Sequence, residues 1–278
     1  MAGLTKQAHS IPPVSEAFFV RKGDRYVPTP HTRGPWDPEF QHAGPPAGLL
    51  GREIERCEPR DGFRVGRISL EILRGVPLAP LLPRARVARP GRSVELLEGS
   101  LSDERGEVVR ATAWRLRTAG LDLPSDLAGP PAPALPEAAE PGPAVFPGAS
   151  ESFGYHRAME WRFVRGRFDQ LGPATVWLRM RVPLLAGDEP SPLTRVLVAA
   201  DSGNGVSAAL PFDRWLFINT DLTVHLHRHP AGEWVCLDSV TFAAPDGVGL
   251  SDTALFDERG LIGRAAQTLL VDRRPATE

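Results

Sequence analysis

The sequence predicts an α+β protein made of two copies of one unit, each a curled antiparallel sheet wrapped around a central helix. The first observation is an internal repeat, because LSDERGEVVRA at residues 101–111 aligns with LFDERGLIGRA at residues 255–265, an offset of 154. The same offset aligns Ile68 with Leu222 and Leu70 with Val224 in two strand-like segments. A repeated turn and a repeated strand at one offset indicate a tandem duplication.

The second observation is a segment that separates the two copies. Residues 121–150 are dominated by Pro and Ala and show neither strand nor helix periodicity. With 278 residues the chain is long enough for two domains that each bury a core. We therefore expect an N-terminal unit at residues 1–120, a linker at 121–150 and a C-terminal unit at 151–278.

The elements follow in order within each half. In the first, a helix is predicted at residues 45–57, since a proline near the first helical position is pre-organised for it, and a strand at 67–74. In the second, the patterns predict a strand at 174–182, a helix at 191–200 and a strand at 220–228. One long helix with several long antiparallel strands is typical of a hotdog domain, so the chain is predicted to be a tandem, or double, hotdog.

Composition disfavours several classes of function. The formal net charge of −2 offers no basic surface for nucleic acid, and no window of about 18 apolar residues predicts a membrane span. Cys57 and Cys236 lack the number and spacing of a disulfide framework or a zinc site. These features, together with the lack of a signal-peptide pattern, favour a cytoplasmic protein without a metal.

Three polar positions of the second half suggest a hydrolytic site. Each carries a carboxylate or an amide where the offset of 154 places an apolar residue in the first half: Asp201 against Ala47, Asn219 against Val65 and Gln267 against Ala113. Burying such groups costs about 1–3 kcal/mol unless they are hydrogen-bonded, and a shared water is a natural partner. A carboxylate can take a proton from that water while amides orient it, which is general-base hydrolysis of a carbonyl.

The chain resembles the TesB-like acyl-CoA thioesterase II family of double-hotdog thioesterases. That family has an Asp at the end of the C-terminal hotdog helix, a Thr or Ser opening the next strand and a Gln in the last strand, slots that match Asp201, Asn219 and Gln267. The resemblance implies that these three residues are catalytic, that an acyl-CoA is the substrate, and that two chains form a homodimer. No cofactor is expected.

The resemblance leaves two points open around this set. Asn219 stands where a hydroxyl is expected, and the neighbouring Thr220 could supply one if a bulge rotates the strand. Strict alternation places Asn219 and Asp221 on one face and Thr220 on the other, which favours Asn219. Thr220 and Asp221 are both kept as candidate substrate-binding residues.

The first half contributes a further candidate in the segment FQHAGPPAGLL. A helix N-terminus offers N–H groups and a partial positive charge suited to a thioester oxyanion. Because Pro45 and Pro46 have no N–H, Gly44 is the candidate donor in this segment, and His42 could polarise the carbonyl. A solvent-exposed loop histidine is the alternative interpretation of His42.

The sequence is also compatible with two other functions. Asp37 and His42 have the spacing of a hotdog enoyl-CoA hydratase motif, and a non-catalytic acyl-CoA-binding module would carry the same polar trio. Arg228 and Arg264 could meet coenzyme A phosphates or be ordinary strand arginines. The alternating histidines of HLHRH favour a polar sheet face over a metal site.

Overall fold

The computed structural model describes residues 17–124, 127, 129–138 and 154–275. The first half consists of β1 (Phe19–Lys22), β2 (Arg25–Pro28), a 3-10 turn at Pro30–Thr32, α1 (Gly44–Arg56), β3 (Phe63–Ile72), β4 (Leu82–Arg89), β5 (Val94–Asp103) and β6 (Gly106–Arg117). The second consists of α2 (Gly154–Ala158), β7 (Met159–Arg165), β8 (Ala174–Met180), α3 (Pro192–Ala200), α4 (Gly203–Val206), β9 (Trp215–Asn219), β10 (Asp221–Leu226), β11 (Val235–Ala243), β12 (Val248–Asp257) and β13 (Gly260–Arg273).

One antiparallel sheet runs through both halves. Among the described residues it has eleven strands in the order β4-β5-β6-β3-β10-β13-β12-β11-β8-β7, with β9 paired to the far part of β13. The halves are joined where β3 pairs with β10, so that Leu70 faces Leu222 and Ile68 faces Val224. Each half curls its strands around its own helix, as predicted, and the fold is a double hotdog.

The two central helices lie in opposite directions with closely spaced backbones. A Cβ on Gly44 would lie 2.4 Å from the carbonyl oxygen of Val198, and one on Gly51 would lie 2.3 Å from the side chain of Leu197; at the other end of the contact, Ser191 before α3 donates to Glu55 near the end of α1. Gly48 lies between Gly44 and Gly51 in the sequence, and because the three glycines are about one turn apart they share one face of α1. The glycines of α1 therefore permit a helix contact that side chains would block, and this contact carries the start of α1 to the end of α3.

The repeated DERG turn has the same structural role in both halves. Arg74 donates to the carboxylate of Asp103 (2.6 Å) and to the carbonyl of Gly106. Arg228 donates in the same way to Asp257 (2.6 Å) and to the carbonyl of Gly260. These turn anchors explain the sequence repeat, since an arginine guanidinium can satisfy a carboxylate and a carbonyl together.

The offset of 154 holds for the strands and fails for the helices. Helix α3 begins at Pro192 and α1 at Gly44, which is an offset of 148. Asp201 caps the end of α3, whereas Ala47 lies in the first turn of α1. The comparison of Asp201 with Ala47 was therefore wrong, because the segment between helix and strand differs in length in the two halves.

The described part of residues 121–150 contains no strand. Leu261 donates its N–H to the carbonyl of Pro130, and Arg162 donates to that of Pro136. Ala132 and Leu135 pack against a small apolar cluster on the second half. The domain limits at 120 and 150 stay a prediction.

Within the described ranges, no helix is both long and apolar enough to cross a membrane.

Candidate active site

A cavity of about 280 Å³ lies between the two halves beside the end of α3. Its lining combines the loop that precedes α1, the segments that follow β3, and the α3–β9 region: Gly34, Pro35, Trp36, Asp37, Phe40, Gln41, His42, Ala43, Ile72, Gly75, Val76, Asp201, Asn204, Gly205, Phe212, Phe217, Ile218 and Asn219. The close contact of the two helices is what brings the loop of one half to the carboxylate of the other.

Asp201 is the centre of the polar part of this cavity. It is buried, with 4% of its surface exposed, at the C-terminal cap of α3. Its Oδ1 accepts from Asn219 Nδ2 at 2.9 Å and from Gln267 Nε2 at 3.3 Å. A carboxylate at a helix C-terminus is destabilised by the partial negative charge of that end. The two donated hydrogen bonds offset this cost.

The orientation of Gln267 is set by its surroundings. Its Oε1 accepts the backbone N–H of Asn204 at 3.1 Å, and this leaves Nε2 to face Asp201. Asn204 is fixed in turn, because its Nδ2 donates to the carbonyl of Phe217 at 3.0 Å. An amide whose oxygen is already used presents only a donor to the site, which is the polarity that an ionised carboxylate requires.

His42 reaches the same carboxylate from the first half. Its Nδ1 lies 3.0 Å from Asp201 Oδ2, and 13% of the His42 side chain is exposed. Nδ1 also lies 3.1 Å from the backbone nitrogen of Gly44, so it donates to Asp201 in the tautomer that carries the ring proton on Nδ1 and accepts the N–H of Gly44 in the other. Burial lowers the pKa of His42 and the charge of Asp201 raises it, with burial the larger cause. The result is a neutral imidazole beside a carboxylate.

Two further residues hold this pair in place. The ring of Tyr155, from α2, stacks on His42 with 3.7 Å between ring centroids and 9° between planes. Its hydroxyl donates to the carbonyl of Val198 at 2.7 Å and lies 2.9 Å from Ser202 Oγ, next to Asp201 in the chain. Burial raises the pKa of Tyr155 far above its usual value, so the hydroxyl stays protonated.

Gly44 contacts the histidine and is absent from the cavity wall. Its N–H lies 3.1 Å from His42 Nδ1, and its α-carbon packs on Val198. Pro45 and Pro46 follow within the first turn of α1, so Gly44 supplies the free N–H at this end. The structure thus places Gly44 where it can position His42.

Thr220 and Asp221 lie outside the cavity lining. Thr220 is exposed, and its N–H and hydroxyl face the carbonyl of Thr268. The carboxylate of Asp221 accepts the N–H of Thr268 at 2.8 Å. Asn219 lies at the end of β9, directed to Asp201, and the chain passes into β10 immediately after it.

The residues of the alternative interpretations have other partners. Asp37 lines the cavity but accepts the N–H of Glu39, while His42 faces Asp201. Arg228 is engaged by Asp257, and Arg264 forms an exposed pair with Asp252. The described residues contain no group of three or more His, Cys, Asp and Glu side chains placed to hold a metal.

Sequence reasoning missed Tyr155, Ser202 and Asn204. The last two carry a weak signal, because they follow Asp201 in a short DSGNG segment. Tyr155 carries none that periodicity could detect, since it lies beside the linker. The aromatic side chains of the cavity lining were missed for a similar reason, because Trp36 and Phe40 come from the loop before α1, whereas Phe212 and Phe217 come from the loop before β9 and from β9 itself.

Two models of one protein family together match most of this chain. A model of the acyl-CoA thioesterase C-terminal domain matches residues 130–271, and a model of the N-terminal domain of the same family matches residues 32–116. The chain belongs to the acyl-CoA thioesterase family. It is therefore a thioesterase, as the resemblance implied. No curated protein sequence matches this chain.

Solved structures share the fold at low identity. Acyl-CoA thioesterase II TesB2 of Mycobacterium marinum has 16% identity and a TM-score of 0.60, over 83% of this chain and 90% of that one. The tesB protein of Mycobacterium avium subspecies paratuberculosis has 14% and 0.62, over 92% and 96%. A hot dog fold protein of unknown function from Alicyclobacillus acidocaldarius has 14% and 0.67, over 93% and 96%. These likenesses support the double-hotdog fold.

Proposed function

We propose that this thioesterase hydrolyses an acyl-CoA to the free acid and coenzyme A, with Asp201 as the general base that activates water. The observation that carries the proposal is the buried carboxylate at the cavity wall, oriented by two amides and one imidazole. A carboxylate has about four lone-pair sites, so three such donors leave room for one water. That water would face a carbonyl carbon held in the cavity.

In this mechanism Asp201 takes a proton from the water as the oxygen attacks the thioester carbonyl. Asn219 and Gln267 hold the carboxylate and the water in one geometry, so less entropy is lost on the way to the transition state. The tetrahedral intermediate then expels the coenzyme A thiolate, and the proton passes from Asp201 to the leaving sulfur. No covalent acyl-enzyme is formed.

His42 supports this chemistry from the opposite half. We propose that the active tautomer carries the ring proton on Nδ1, so that the neutral imidazole donates to Oδ2 and fixes the second carboxylate oxygen without neutralising its charge. Stacking on Tyr155 fixes the plane of the imidazole in this tautomer. We therefore propose that His42, which lines the cavity, contacts the substrate, and that Gly44 affects the substrate only through its contact with His42.

The test is release of free thiol from acyl-CoAs by the wild type, Asp201→Asn and Asp221→Asn. We expect Asp201→Asn to lose about 10²–10⁴-fold in kcat, the range that general-base catalysis contributes. Asp221→Asn is the matched control, because its carboxylate lies outside the cavity, and it should retain activity. Activity of Asp201→Asn equal to the wild type would overturn the assignment.

A further inference from the structure

Four aromatic side chains line the cavity outside the hydrolytic chemistry, and we call them the aromatic wall: Trp36, Phe40, Phe212 and Phe217. The ring centroid of Trp36 lies 4.7 Å from that of Phe212 and 4.9 Å from that of Phe217, at interplanar angles of 32° and 84°. Aromatic rings attract one another in tilted and edge-to-face arrangements of this kind.

These rings are held in position from behind. The Arg274 guanidinium lies 4.2 Å from the Phe212 ring centroid and 5.2 Å from that of Trp36, and its Nε donates to the carbonyl of Phe212 at 2.7 Å. Phe40 lies against Gly75, where a Cβ would come within 3.2 Å of its ring. A wall that is fixed before the ligand arrives loses little freedom when the ligand binds.

The cavity is small for a ligand site. At about 280 Å³ it lies near the lower end of the range for such sites. Phenylacetyl, cyclohexylacetyl and octanoyl groups have the same number of non-hydrogen atoms, so they compare acyl groups of equal size at this wall.

We infer that the aromatic wall selects an acyl group that carries an aryl ring, so that arylacyl-CoA thioesters such as phenylacetyl-CoA are the preferred substrates. This inference rests on the proposed function. Burial of apolar area favours the three groups alike, since it is roughly proportional to area and non-directional. Only an aryl ring adds ring-to-ring contacts with the wall, and one or two such pairs correspond to about a tenfold preference.

The experiment measures kcat/KM for phenylacetyl-, cyclohexylacetyl- and octanoyl-CoA with the wild type, Phe212→Leu and Phe242→Leu. The wild type should prefer phenylacetyl over both others by about tenfold. Phe212→Leu should bring the ratio of phenylacetyl to cyclohexylacetyl close to one, and Trp36→Leu serves the same purpose if Phe212→Leu does not fold. Phe242→Leu should keep the wild-type ratio, because Phe242 is exposed elsewhere on the sheet.

Equal or faster hydrolysis of the cyclohexylacetyl or octanoyl thioester by the wild type would overturn the inference while leaving the hydrolase intact. Failure to hydrolyse any thioester would instead overturn the proposed function. In that case calorimetric binding of phenylacetate and cyclohexylacetate tests the wall by itself. Tighter binding of phenylacetate supports an aryl site, and equal binding of the two acids overturns it.

Discussion

Ser69 and Thr223 face each other across the joint between the two halves, with 2.6 Å between Oγ and Oγ1. They occupy the same position in the two sequence repeats, because their numbers differ by 154. An antiparallel pair in which a residue meets its own equivalent is the arrangement of a two-fold axis. The halves of this chain are therefore joined as two copies of one unit would be in a symmetric dimer.

This internal two-fold explains why the site draws on both halves. The two helices that this axis relates pack antiparallel, so the loop before α1 lies beside the end of α3, and His42 of one half meets Asp201 of the other. At the equivalent strand positions of the first half, Val65 and Ala113 replace Asn219 and Gln267. The duplicate position thus lacks both amides, and we expect one hydrolytic site in the chain.

The amide of Asn219 can be tested against its neighbour. Asn219→Ala removes the donor at 2.9 Å from Asp201 Oδ1 and should lower kcat by about 10–100-fold, the cost of about one charge-assisted hydrogen bond. Thr220→Ala should leave kcat unchanged, because Thr220 is exposed and faces Thr268. Thiol release at saturating substrate measures both. The opposite ranking would make Thr220 the strand residue of the site.

Much of the fold follows from sequence because strand period and repeat offset are local signals. Asn219 and Gln267 were found through the offset, and both contact Asp201. Asp201 itself was selected with a comparison to Ala47 that the helices do not support, and the family resemblance identified it independently. Tyr155 could not be predicted, since its contact with His42 depends on how a loop of one half packs on a helix of the other.

The polar contact of His42 can be removed while an aromatic ring is kept at its position. His42→Phe should keep the stacking on Tyr155 and lose the Nδ1 contact with Asp201, so kcat should fall by about tenfold or more while the melting temperature changes little. Kinetics and thermal unfolding of the same preparation give both values. If His42→Phe loses as much activity as Asp201→Asn, the base is His42, and Asp201 is the residue that orients it.

The hydroxyl of Tyr155 should contribute mainly to stability. Tyr155→Phe leaves the carbonyl of Val198 and the hydroxyl of Ser202 without this partner, and a buried group that loses its hydrogen bond costs about 1–3 kcal/mol. Because the ring and its stacking remain, kcat should fall less than in His42→Phe. Denaturant unfolding measures the first effect. An unchanged free energy of unfolding would contradict it.

The helix contact depends on Gly44 having no side chain. Gly44→Ala places a Cβ 2.4 Å from the carbonyl oxygen of Val198, so the helices must separate, and we expect a loss of about 1–3 kcal/mol together with lower kcat. Gly120→Ala is the control, because its Cβ would meet nothing within 4 Å. Denaturant unfolding and thiol release should both distinguish the two variants. A Gly44→Ala protein as stable and active as Gly120→Ala would show that the helices separate at no cost.

His156 should make the protein less stable in mild acid. Burial, with Arg181 and Arg157 nearby, lowers the pKa of His156 from 6.5 to about 4, while its ring packs on Trp161 and Phe168. As the pH falls below 6.5 the unfolded chain binds this proton before the folded chain does, so the free energy of unfolding decreases until about pH 4. Over this whole pH range, the free energy of unfolding falls by roughly 3 kcal/mol because of His156.

The change that isolates this effect is His156→Phe, which keeps an aromatic ring beside Trp161 and cannot be protonated. Buried carboxylates also titrate in this range, so the free energy of unfolding is compared between wild type and variant at pH 7 and pH 4.5. The wild type should lose more stability than the variant by about 2–3 kcal/mol, since most of the linkage lies within this interval. Equal losses would mean that His156 accepts a proton in the folded protein as readily as in the unfolded chain.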